Sequence, residues 1–550
     1  MVDKYKIKVS DIASAEKILG IEYSKEEREQ MITDLEDQII STKMRRKNKF
    51  SNNVPMASKF DPRLPNFKMP PSLGLKIRER DDILPDTDED IAFATVGAQG
   101  YWIKTKKLKS RKLTEIYLDR IDKLQGKLEC YAIVTRELAL AEADAMDLLI
   151  EDNIYLGPLH GIPYGLKDLF DTKDIETGWG AEPYQNRLPS EDAEIVKRLR
   201  SAGAVILGKT AVGALAYSDI WYGGRTKNPW NLNEGSSGSS AGSASATAAG
   251  LCSFAIGTET LGSITSPSER CGTTGFRPTF GRVSRNGCMA LCWSLDKVGP
   301  ICRCVEDTGL VLSVINGYDE NDRFSIKAPF NFDTTKKIKD LKIGYIPDTF
   351  GSNATSLDKA TLKLVSNLGF NVKEVELDNL PYSSLINILH AEAAASFEDL
   401  TLSNEDDALT WQDNKAWPNT FRKARFLSAV DHVQLDRLRY LVMKAMDDLF
   451  EDIDLLIGPF DIGPMLVASN FSGHPCLHLR VGYENLCSRT GAKRKKSSPK
   501  KNKNNIERKF KVPRGLSIWG PLFEEETILN FGIALETELN IAQQRPKLRV

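Results

Sequence analysis

The stretch that decides the fold runs from Gly235 to Pro267 and reads GSSGSSAGSASATAAGLCSFAIGTETLGSITSP. Glycine and serine at this density are common in flexible linkers. Two parts of the stretch do not fit a linker. Residues Ala241 to Ala249 are rich in alanine, the best helix former, and Leu251 to Ile256 is an apolar run typical of a buried strand. We therefore expect a folded turn, helix and strand that hold serine hydroxyls in place.

Upstream of this stretch, Gly161 to Lys167 has the sequence GIPYGLK. Together, the two segments resemble the amidase signature family. The resemblance is carried by GSSAGS at Gly238 to Ser243 and by TETLGSITSP at Thr258 to Pro267. It extends to CGTTGFRPTFGRVSRNG at Cys271 to Gly287 and to SLDKVGP at Ser294 to Pro300. The likeness covers the chain from about residue 91 and weakens after residue 330. It implies a single large α/β/α fold with a mixed sheet.

The chemistry of an amidase needs an activated hydroxyl. A serine hydroxyl is a weak nucleophile unless a base takes its proton, and a lysine at its ordinary pKa is protonated at neutral pH. Burial beside neutral hydroxyls lowers that pKa and frees the amine. The resemblance implies that Ser263 attacks the amide carbonyl and that Ser239 relays its proton to Lys167. The offset between the serines, 263 − 239 = 24 residues, is that expected in the family.

The negative charge that develops on the carbonyl oxygen needs fixed donors, which backbone N–H groups supply at a tight turn. The resemblance implies that four consecutive residues form this oxyanion hole: Thr260, Leu261, Gly262 and Ser263. The sequence departs from the family pattern twice. Leu261 replaces a glycine, so the hole must form without positive φ there. Thr265 replaces an arginine, so the usual acid–arginine pair cannot form between Glu259 and Thr265.

Two other catalytic motifs match short segments. Gly238 to Gly242 fits G-x-S-x-G, the nucleophile elbow of α/β-hydrolases, which requires a strand immediately before it and a later histidine. We expect a turn-rich loop at residues 228–235 instead, although four histidines follow: His390, His432, His474 and His478. Ser294 to Lys297 fits the S-x-x-K motif of penicillin-recognising enzymes, but four-residue patterns of this kind arise by chance in a long chain.

Composition excludes several classes of protein. The 550 residues are 41% hydrophobic and 27% charged, with a net charge of −1, which is ordinary for a globular protein and gives no field that would recruit nucleic acid or an anionic membrane. The sequence from Met1 to Lys8 lacks the apolar core of a signal peptide. No apolar run is long enough for a membrane span. We expect a cytoplasmic protein.

Nine cysteines at low density favour a reducing compartment over a disulfide scaffold. Four of them fall within seventeen residues, at Cys288, Cys292, Cys302 and Cys304, but their spacing is not that of a zinc site. We interpret them as buried, unreactive thiols. His160 precedes Gly161 and is expected to orient the strand by hydrogen bonding. We expect neither a metal nor a cofactor.

The chain divides into an extension at residues 1–90 and an amidase-signature domain at 91–550. In the extension, Asp11 to Leu19 and Lys25 to Thr42 predict amphipathic helices, the second opened by a capping box of Ser24 and Glu27, and residues 44–90 predict a wrapping linker. We expect the two helices to cover the core or a second subunit, remote from the chemistry. A homodimer would be one arrangement of this kind.

Strands and helices alternate after residue 91. Asp192 to Ser201 predicts a helix that stops at Gly203. Buried strands are predicted at Ala204–Leu207, Leu341–Ile346 and Asp454–Gly458. This alternation favours a mixed sheet covered by helices on both faces.

A basic run interrupts the C-terminal part. Lys493 to Lys503 contains seven lysines or arginines and no acid, which would suit nucleic acid or a membrane surface. The run falls between Val467–Val481 and Arg514–Leu522, which both predict strands. We therefore interpret residues 488–512 as a solvated loop insertion and expect no binding of nucleic acid.

The preferred function is hydrolysis of a small-molecule carboxylic amide through a serine acyl-enzyme. The alternative is one component of a tRNA-dependent amidotransferase, related to the A-type component of the glutamyl-tRNA(Gln)/aspartyl-tRNA(Asn) enzyme, that releases ammonia from glutamine. It would need partner chains and a cation for the glutamine carboxylate, for which Arg422 or Arg425 are the candidates. A non-catalytic binding protein is disfavoured because Lys167, Ser239 and Ser263 are all present.

Overall fold

We describe the fold from a computed structural model, which covers residues 6–336, 338–489 and 508–548. An eleven-stranded mixed sheet forms the centre of the protein in these residues. The strand order is β14-β13-β15-β17-β16-β10-β11-β9-β3-β4-β2. The pairs β14–β13, β13–β15, β9–β3 and β3–β4 are parallel. Every pair between β15 and β9 in the sheet order is antiparallel. Among the described residues, three two-stranded sheets lie outside it, pairing β1 with β12, β5 with β6 and β7 with β8.

The strands, in chain order, are β1 (Leu75–Lys76), β2 (Tyr131–Val134), β3 (Pro163–Lys167), β4 (Val205–Thr210), β5 (Ile220–Trp221), β6 (Gly224–Arg225), β7 (Lys227–Asn228), β8 (Asn231–Gly235), β9 (Phe254–Glu259), β10 (Thr274–Arg277), β11 (Lys297–Cys302), β12 (Phe332–Asp333), β13 (Lys342–Tyr345), β14 (Asn371–Glu374), β15 (Leu455–Pro459), β16 (Cys476–Leu486) and β17 (Phe510–Trp519).

The helices are α1 (Val9–Leu19), α2 (Lys25–Arg46), α3 (Asp88–Phe93), α4 (Val96–Lys104), α5 (Ser110–Leu128), α6 (Arg136–Glu151), α7 (Glu194–Ser201), α8 (Ala241–Ala248), α9 (Thr265–Cys271), α10 (Val305–Ile315), α11 (Ser356–Asn367), α12 (Ile386–Ser396), α13 (Glu398–Leu402), α14 (Trp417–Ala424), α15 (Ala429–Asp452), α16 (Met465–Phe471) and α17 (Glu525–Leu539). None of the helices in the described ranges is long and apolar enough to cross a membrane.

The sheet separates two hydrophobic cores. Along β15, Leu455 and Ile457 belong to one core and Leu456 belongs to the other. Successive side chains of a strand point to opposite faces, so the cores lie on the two sides of the sheet. Helices α5, α6, α10 and α17 contribute to the first core, and α12, α14 and α15 to the second. The predicted α/β/α architecture is confirmed.

The glycine- and serine-rich segment is a folded part of this core. Helix α8 lies where the sequence predicts it, strand β9 begins three residues later than the predicted run from Leu251 to Ile256, and every residue of both elements is buried. Strand β9 sits between β3 and β11 in the sheet. The predicted helix at α7 is also present and is followed by Gly203 at φ +76°, where a residue without a Cβ is favoured.

Two local predictions are wrong. Residues 228–235 are not a loop, because β7 and β8 form a hairpin there; the turn signal of Asn228–Pro229 marks the hairpin's bend. Residues 467–471 are not a strand, because they belong to α16. That segment begins after Pro464, which suits the start of a helix, and its serine hydroxyl at Ser469 bonds back to the carbonyl of Met465.

The N-terminal helices α1 and α2 pack on each other through the ion pair of Arg28 with Glu16 at 2.6 Å. The predicted capping box of Ser24 and Glu27 opens α2. Near its end, Arg45 pairs with Glu398 of α13 at 2.6 Å, which connects the extension to the main body. Residues 490–507 of the predicted basic loop lie outside the described part of the chain. The strands that flank the loop, β16 and β17, pair along their length.

Candidate active site

Lys167 ends strand β3 and is fully buried. Its Nζ atom donates hydrogen bonds to Ser239 Oγ at 2.9 Å, Ser240 Oγ at 3.0 Å and Thr258 Oγ1 at 2.7 Å. Thr258 is on β9, which runs parallel to β3 with Leu166 opposite Ile256. Parallel strands that end at the same edge bring their last residues together, so the fold places Lys167 beside the hydroxyl groups.

Burial lowers the pKa of Lys167 to about 7. A charged ammonium in a low-dielectric site loses its hydration, and its three hydroxyl neighbours carry no compensating negative charge. Acidic groups further away act in the opposite direction without restoring the ordinary value. A substantial fraction of the amine is therefore neutral at pH 7 and able to accept a proton.

Ser263 lies in the turn between β9 and α9 and is 8% exposed. The turn is closed by Gly262 at φ +85°, so the positive φ falls on glycine and Leu261 needs none. The carbonyl of Ser263 accepts a bond from the N–H of Ser240 at 3.2 Å. This bond joins the turn to the serine pair beside Lys167.

The turn leaves backbone donors free. Within the described part of the chain, no protein acceptor is found for the N–H groups of the four residues predicted to form an oxyanion hole, Thr260, Leu261, Gly262 and Ser263. The next two N–H groups, those of Ile264 and Thr265, are instead held by the carboxylate of Glu259 at 2.9 Å. The arrangement leaves the first four N–H groups for a ligand.

Glu259 has a buried cationic partner that the sequence analysis missed. Arg277 of β10 approaches it at 2.7 Å, and both side chains are 0% exposed. Burial works to raise the pKa of Glu259, but the Arg277 guanidinium and the N–H donors of the turn outweigh it and lower the pKa to about 2. The signal that could have found this partner was the first of the three arginines within Cys271 to Gly287, a segment already matched to the family.

A cavity of about 200 Å³ opens at Ser263. Its walls come from the turn, from α12 and from α14, and the lining residues are Ala216, Tyr217, Thr260, Leu261, Ser263, Leu291, Ile386, Leu389, His390, Trp417 and Thr420. No Asp, Glu, Lys or Arg is among these described residues. Burial lowers the pKa of His390 below its ordinary value, so this cavity, the nucleophile pocket, carries little charge at neutral pH.

A second cavity of about 90 Å³ adjoins the first. It shares Ala216, Thr260 and Leu291 with the nucleophile pocket and reaches Thr258, the hydroxyl partner of Lys167. Its outer side is formed by residues Asn52, Asn53 and Pro55 of the extension. We refer to this cavity as the side chamber.

The structure does not bring together the residues of the other motifs. Ser294 Oγ donates to Glu392 at 2.5 Å and accepts from Arg439, whereas the amine of Lys297 donates to the carbonyl of Leu295. The S-x-x-K motif therefore forms no serine–lysine pair. In the G-x-S-x-G motif, Ser240 Oγ bonds to Lys167 and to Thr258 rather than to a histidine.

Neither candidate for a glutamine carboxylate site is available. Arg422 binds Asp406 at 2.6 Å and Asp407 at 3.1 Å, and Arg425 binds Glu398 at 3.3 Å. Neither arginine lines the nucleophile pocket. Their positive charges are compensated by carboxylates of the protein itself.

The clustered cysteines and His160 are described by their burial and by their hydrogen bonds within the protein. The ring of His160 bonds to the carbonyl of Met146 at 3.0 Å and accepts from the N–H of Leu156 at 3.2 Å. Neither partner belongs to β3, so the role of His160 in orienting that strand stays a prediction. Of the four clustered cysteines, Cys292, Cys302 and Cys304 are buried, and Cys288 is half-buried on the wall of the side chamber. In the described ranges, no cluster of three or more His, Cys, Asp or Glu side chains could hold a metal ion.

Comparison with known proteins places these features in a family. Residues 112–529 match the family model described as Amidase. The A-type component of glutamyl-tRNA(Gln) amidotransferase from Lysinibacillus sphaericus (strain C3-41) is 30% identical over 497 residues, which cover 81% of this chain and 96% of that protein. The corresponding protein of Prochlorococcus marinus (strain NATL2A) is 29% identical over 498 residues, with coverage of 81% and 97%. The chain belongs to the amidase signature family.

Solved structures agree with this assignment. The native peptide amidase from Stenotrophomonas maltophilia superposes with a TM-score of 0.70 at 27% identity, covering 83% of this chain and 99% of that one. A bacterial aryl acylamidase of the amidase signature family superposes with a TM-score of 0.68 at 20% identity, covering 83% and 100%. The second likeness concerns the fold alone.

Proposed function

We propose that this amidase hydrolyses an uncharged carboxylic amide with Ser263 as nucleophile, Ser239 as proton relay and Lys167 as base. The observation that carries the proposal is the buried amine of Lys167, which donates to Ser239 Oγ at 2.9 Å and has a pKa near 7. A base with a pKa close to the working pH combines the correct protonation state with a sufficient driving force.

Acylation moves two protons in sequence. Ser263 Oγ forms a bond to the carbonyl carbon while its proton passes to Ser239 Oγ, whose own proton passes to the Lys167 amine. The oxyanion is stabilised by the free N–H groups of residues 260–263. The C–N bond then breaks, the leaving amine takes a proton from Ser239, and Lys167 returns one to Ser239. Water attacks the ester by the same route and releases the acid.

The lining of the nucleophile pocket supports an uncharged substrate. A buried carboxylate without a cation loses its hydration and gains no partner, and none of the described lining residues is a lysine or arginine. The two relatives compared above are named as components of glutamyl-tRNA(Gln) amidotransferase. A glutamine-hydrolysing role for this chain would require a cation at the substrate carboxylate, and Arg422 and Arg425 are already paired with acidic side chains.

The test compares two amides of equal length. The purified full-length protein is assayed for ammonia release from pentanamide and from glutaramate, which differ in a terminal carboxylate, and from glutamine. We expect kcat/KM for pentanamide to exceed that for glutaramate by about 100-fold or more, the scale of an unpaired buried charge. Ser263→Ala is the inactive control. Glutamine as the best of the three substrates would contradict the proposal.

A further inference from the structure

The N-terminal extension contributes to the cavity system beside the active site. Asn52, Asn53 and Pro55 line the side chamber, together with Thr258 and Thr260 of the catalytic region. The family match begins at residue 112, so these three residues lie outside the matched region. The predicted helices of the extension end before this point, and it is the segment after α2 that reaches the chamber.

Contacts on both sides hold this segment in place. The Asn52 carboxamide donates to the carbonyl of Ala290 at 2.8 Å and accepts from its N–H at 2.7 Å. Arg323 donates to the carbonyl of Ala57 at 2.6 Å. Further along, the ring centre of Phe60 lies 3.4 Å from the Arg439 guanidinium. Each hydrogen bond adds a modest net stabilisation, and together these contacts fix the segment against the main body.

The charged residues that line the side chamber are Arg285, Asp296, Lys297, Asp322 and Arg323, and each makes hydrogen bonds within the protein. Asp296 accepts bonds from Thr260 Oγ1 at 2.6 Å and from the N–H groups of Leu291 and Cys292. Arg285 pairs with Asp322 at 3.3 Å. Lys297 donates to the carbonyl of Leu295, and the exposed Arg323 donates to the carbonyl of Ala57. The other residues that line the chamber are uncharged. The chamber therefore suits the uncharged end of a substrate whose amide lies at Ser263.

We propose that residues Asn52 to Pro55 form the outer wall of the substrate site and determine how long an uncharged substituent the enzyme accepts. The proposal rests on the proposed function, because it takes Ser263 as the reacting group. The nucleophile pocket and the chamber meet at Ala216, Thr260 and Leu291. A substituent that passes these residues reaches the Asn52–Pro55 segment, which limits its length.

The test uses fluorophosphonates with an ethyl or a decyl chain, which label an activated serine without requiring a known substrate. Asn53→Trp narrows the chamber, and Asn52→Ala removes both bonds to Ala290 and loosens the wall. Val54→Ala is the matched control, since Val54 is 48% exposed and is not among the residues lining the chamber. Second-order labelling rates at Ser263 are measured by mass spectrometry, with thermal unfolding as the check on folding.

We expect Asn53→Trp to slow the decyl probe by about ten-fold or more relative to the ethyl probe, the scale of steric exclusion in an apolar site. Asn52→Ala should shift the same ratio in favour of the decyl probe, and Val54→Ala should leave it unchanged. A decyl-to-ethyl ratio that is unaltered in both wall variants, with Ser263 still labelled, would overturn the inference and leave the proposed function intact. Absence of Ser263 labelling by either probe in the unaltered protein would overturn both.

Discussion

The proposed chemistry depends on Lys167, because its amine must be neutral to act as a base. Its pKa of about 7 gives the pH dependence a definite sign. Below pH 7 the amine is increasingly protonated and cannot take the proton of Ser239; above pH 7 it is increasingly neutral. We expect kcat/KM to fall on the acid side with an apparent pKa near 7.

Substitution of Lys167 by arginine tests whether the residue is needed as a neutral base or only as a positive charge. Lys167→Arg keeps a cation that can still donate hydrogen bonds, but a guanidinium stays protonated at neutral pH. We expect the variant to lose about 10²- to 10⁴-fold in kcat, the usual contribution of a positioned acid–base group. An active Lys167→Arg variant with an unchanged acid limb would show that another group is the base.

The pair of Glu259 with Arg277 joins three elements: β9, β10 and the turn that begins α9. The family pattern has an arginine two residues after the serine, where this chain has Thr265; here Arg277 is the cation that pairs with Glu259. Thr265 donates to Glu259 through its N–H at 2.9 Å and through its hydroxyl at 3.1 Å. Asn470 of α16 also donates to this carboxylate at 3.1 Å. The position of the turn that carries Ser263 thus depends on a side chain from a different strand.

Arg277→Met should lower the free energy of unfolding by about 3–5 kcal/mol, because it leaves a buried carboxylate without its cation. Denaturant unfolding measures this loss, and Arg437→Met, at an exposed arginine, is the control with an expected effect within about 0.5 kcal/mol. Glu259 has a folded pKa of about 2 against an ordinary 4.5, so its pairing stabilises above pH 4.5 and is lost as pH falls toward 2. The difference between wild type and variant should shrink over that interval; an undiminished difference would contradict the assignment.

The sequence allowed prediction of the elements that follow local rules. The alanines of α8 locate that helix, and the apolar run from Leu251 to Ile256 indicates a strand whose observed bounds, Phe254–Glu259, lie three residues further along. Other features depend on contacts between distant residues. The Glu259–Arg277 pair joins positions 18 apart, and Asn52 meets Ala290 across 238 residues; no periodicity encodes either. The prediction of a strand at residues 467–471 is wrong because a short apolar run fits a buried strand and a buried helix equally well.

At the scale of the whole molecule, the N-terminal helices and the Asn52–Pro55 segment should behave differently. Deleting residues 11–42 removes most of α1 and α2 but keeps Arg45, which pairs with Glu398, and keeps the wall of the side chamber. We expect turnover of a short amide to be unchanged, while solubility or oligomeric state alters because apolar surface is exposed. Light scattering and steady-state kinetics measure both. A folded, monodisperse deletion variant that has lost turnover would place the helices in the active site.

The basic run from Lys493 to Lys503 should be dispensable. Strands β16 and β17 pair as far as Leu486 and Phe510, so a short Gly/Ser linker in place of residues 493–505 can close the hairpin. The run has no interleaved aromatics for stacking on bases. We expect amide hydrolysis and melting temperature to be nearly unchanged and RNA binding at physiological salt to stay near background in both proteins. Tight RNA binding that disappears with the replacement would favour the tRNA-linked alternative.

Ser263 is the proposed nucleophile among several serines of this segment, and the site of covalent modification tests that role most directly. The protein is reacted with the ethyl fluorophosphonate, digested, and the modified residue is located by tandem mass spectrometry. We expect a single adduct on Ser263, which lines the nucleophile pocket, and its loss in Ser263→Ala. An adduct on Ser239 or Ser240, or labelling that persists in Ser263→Ala, would contradict the proposed role.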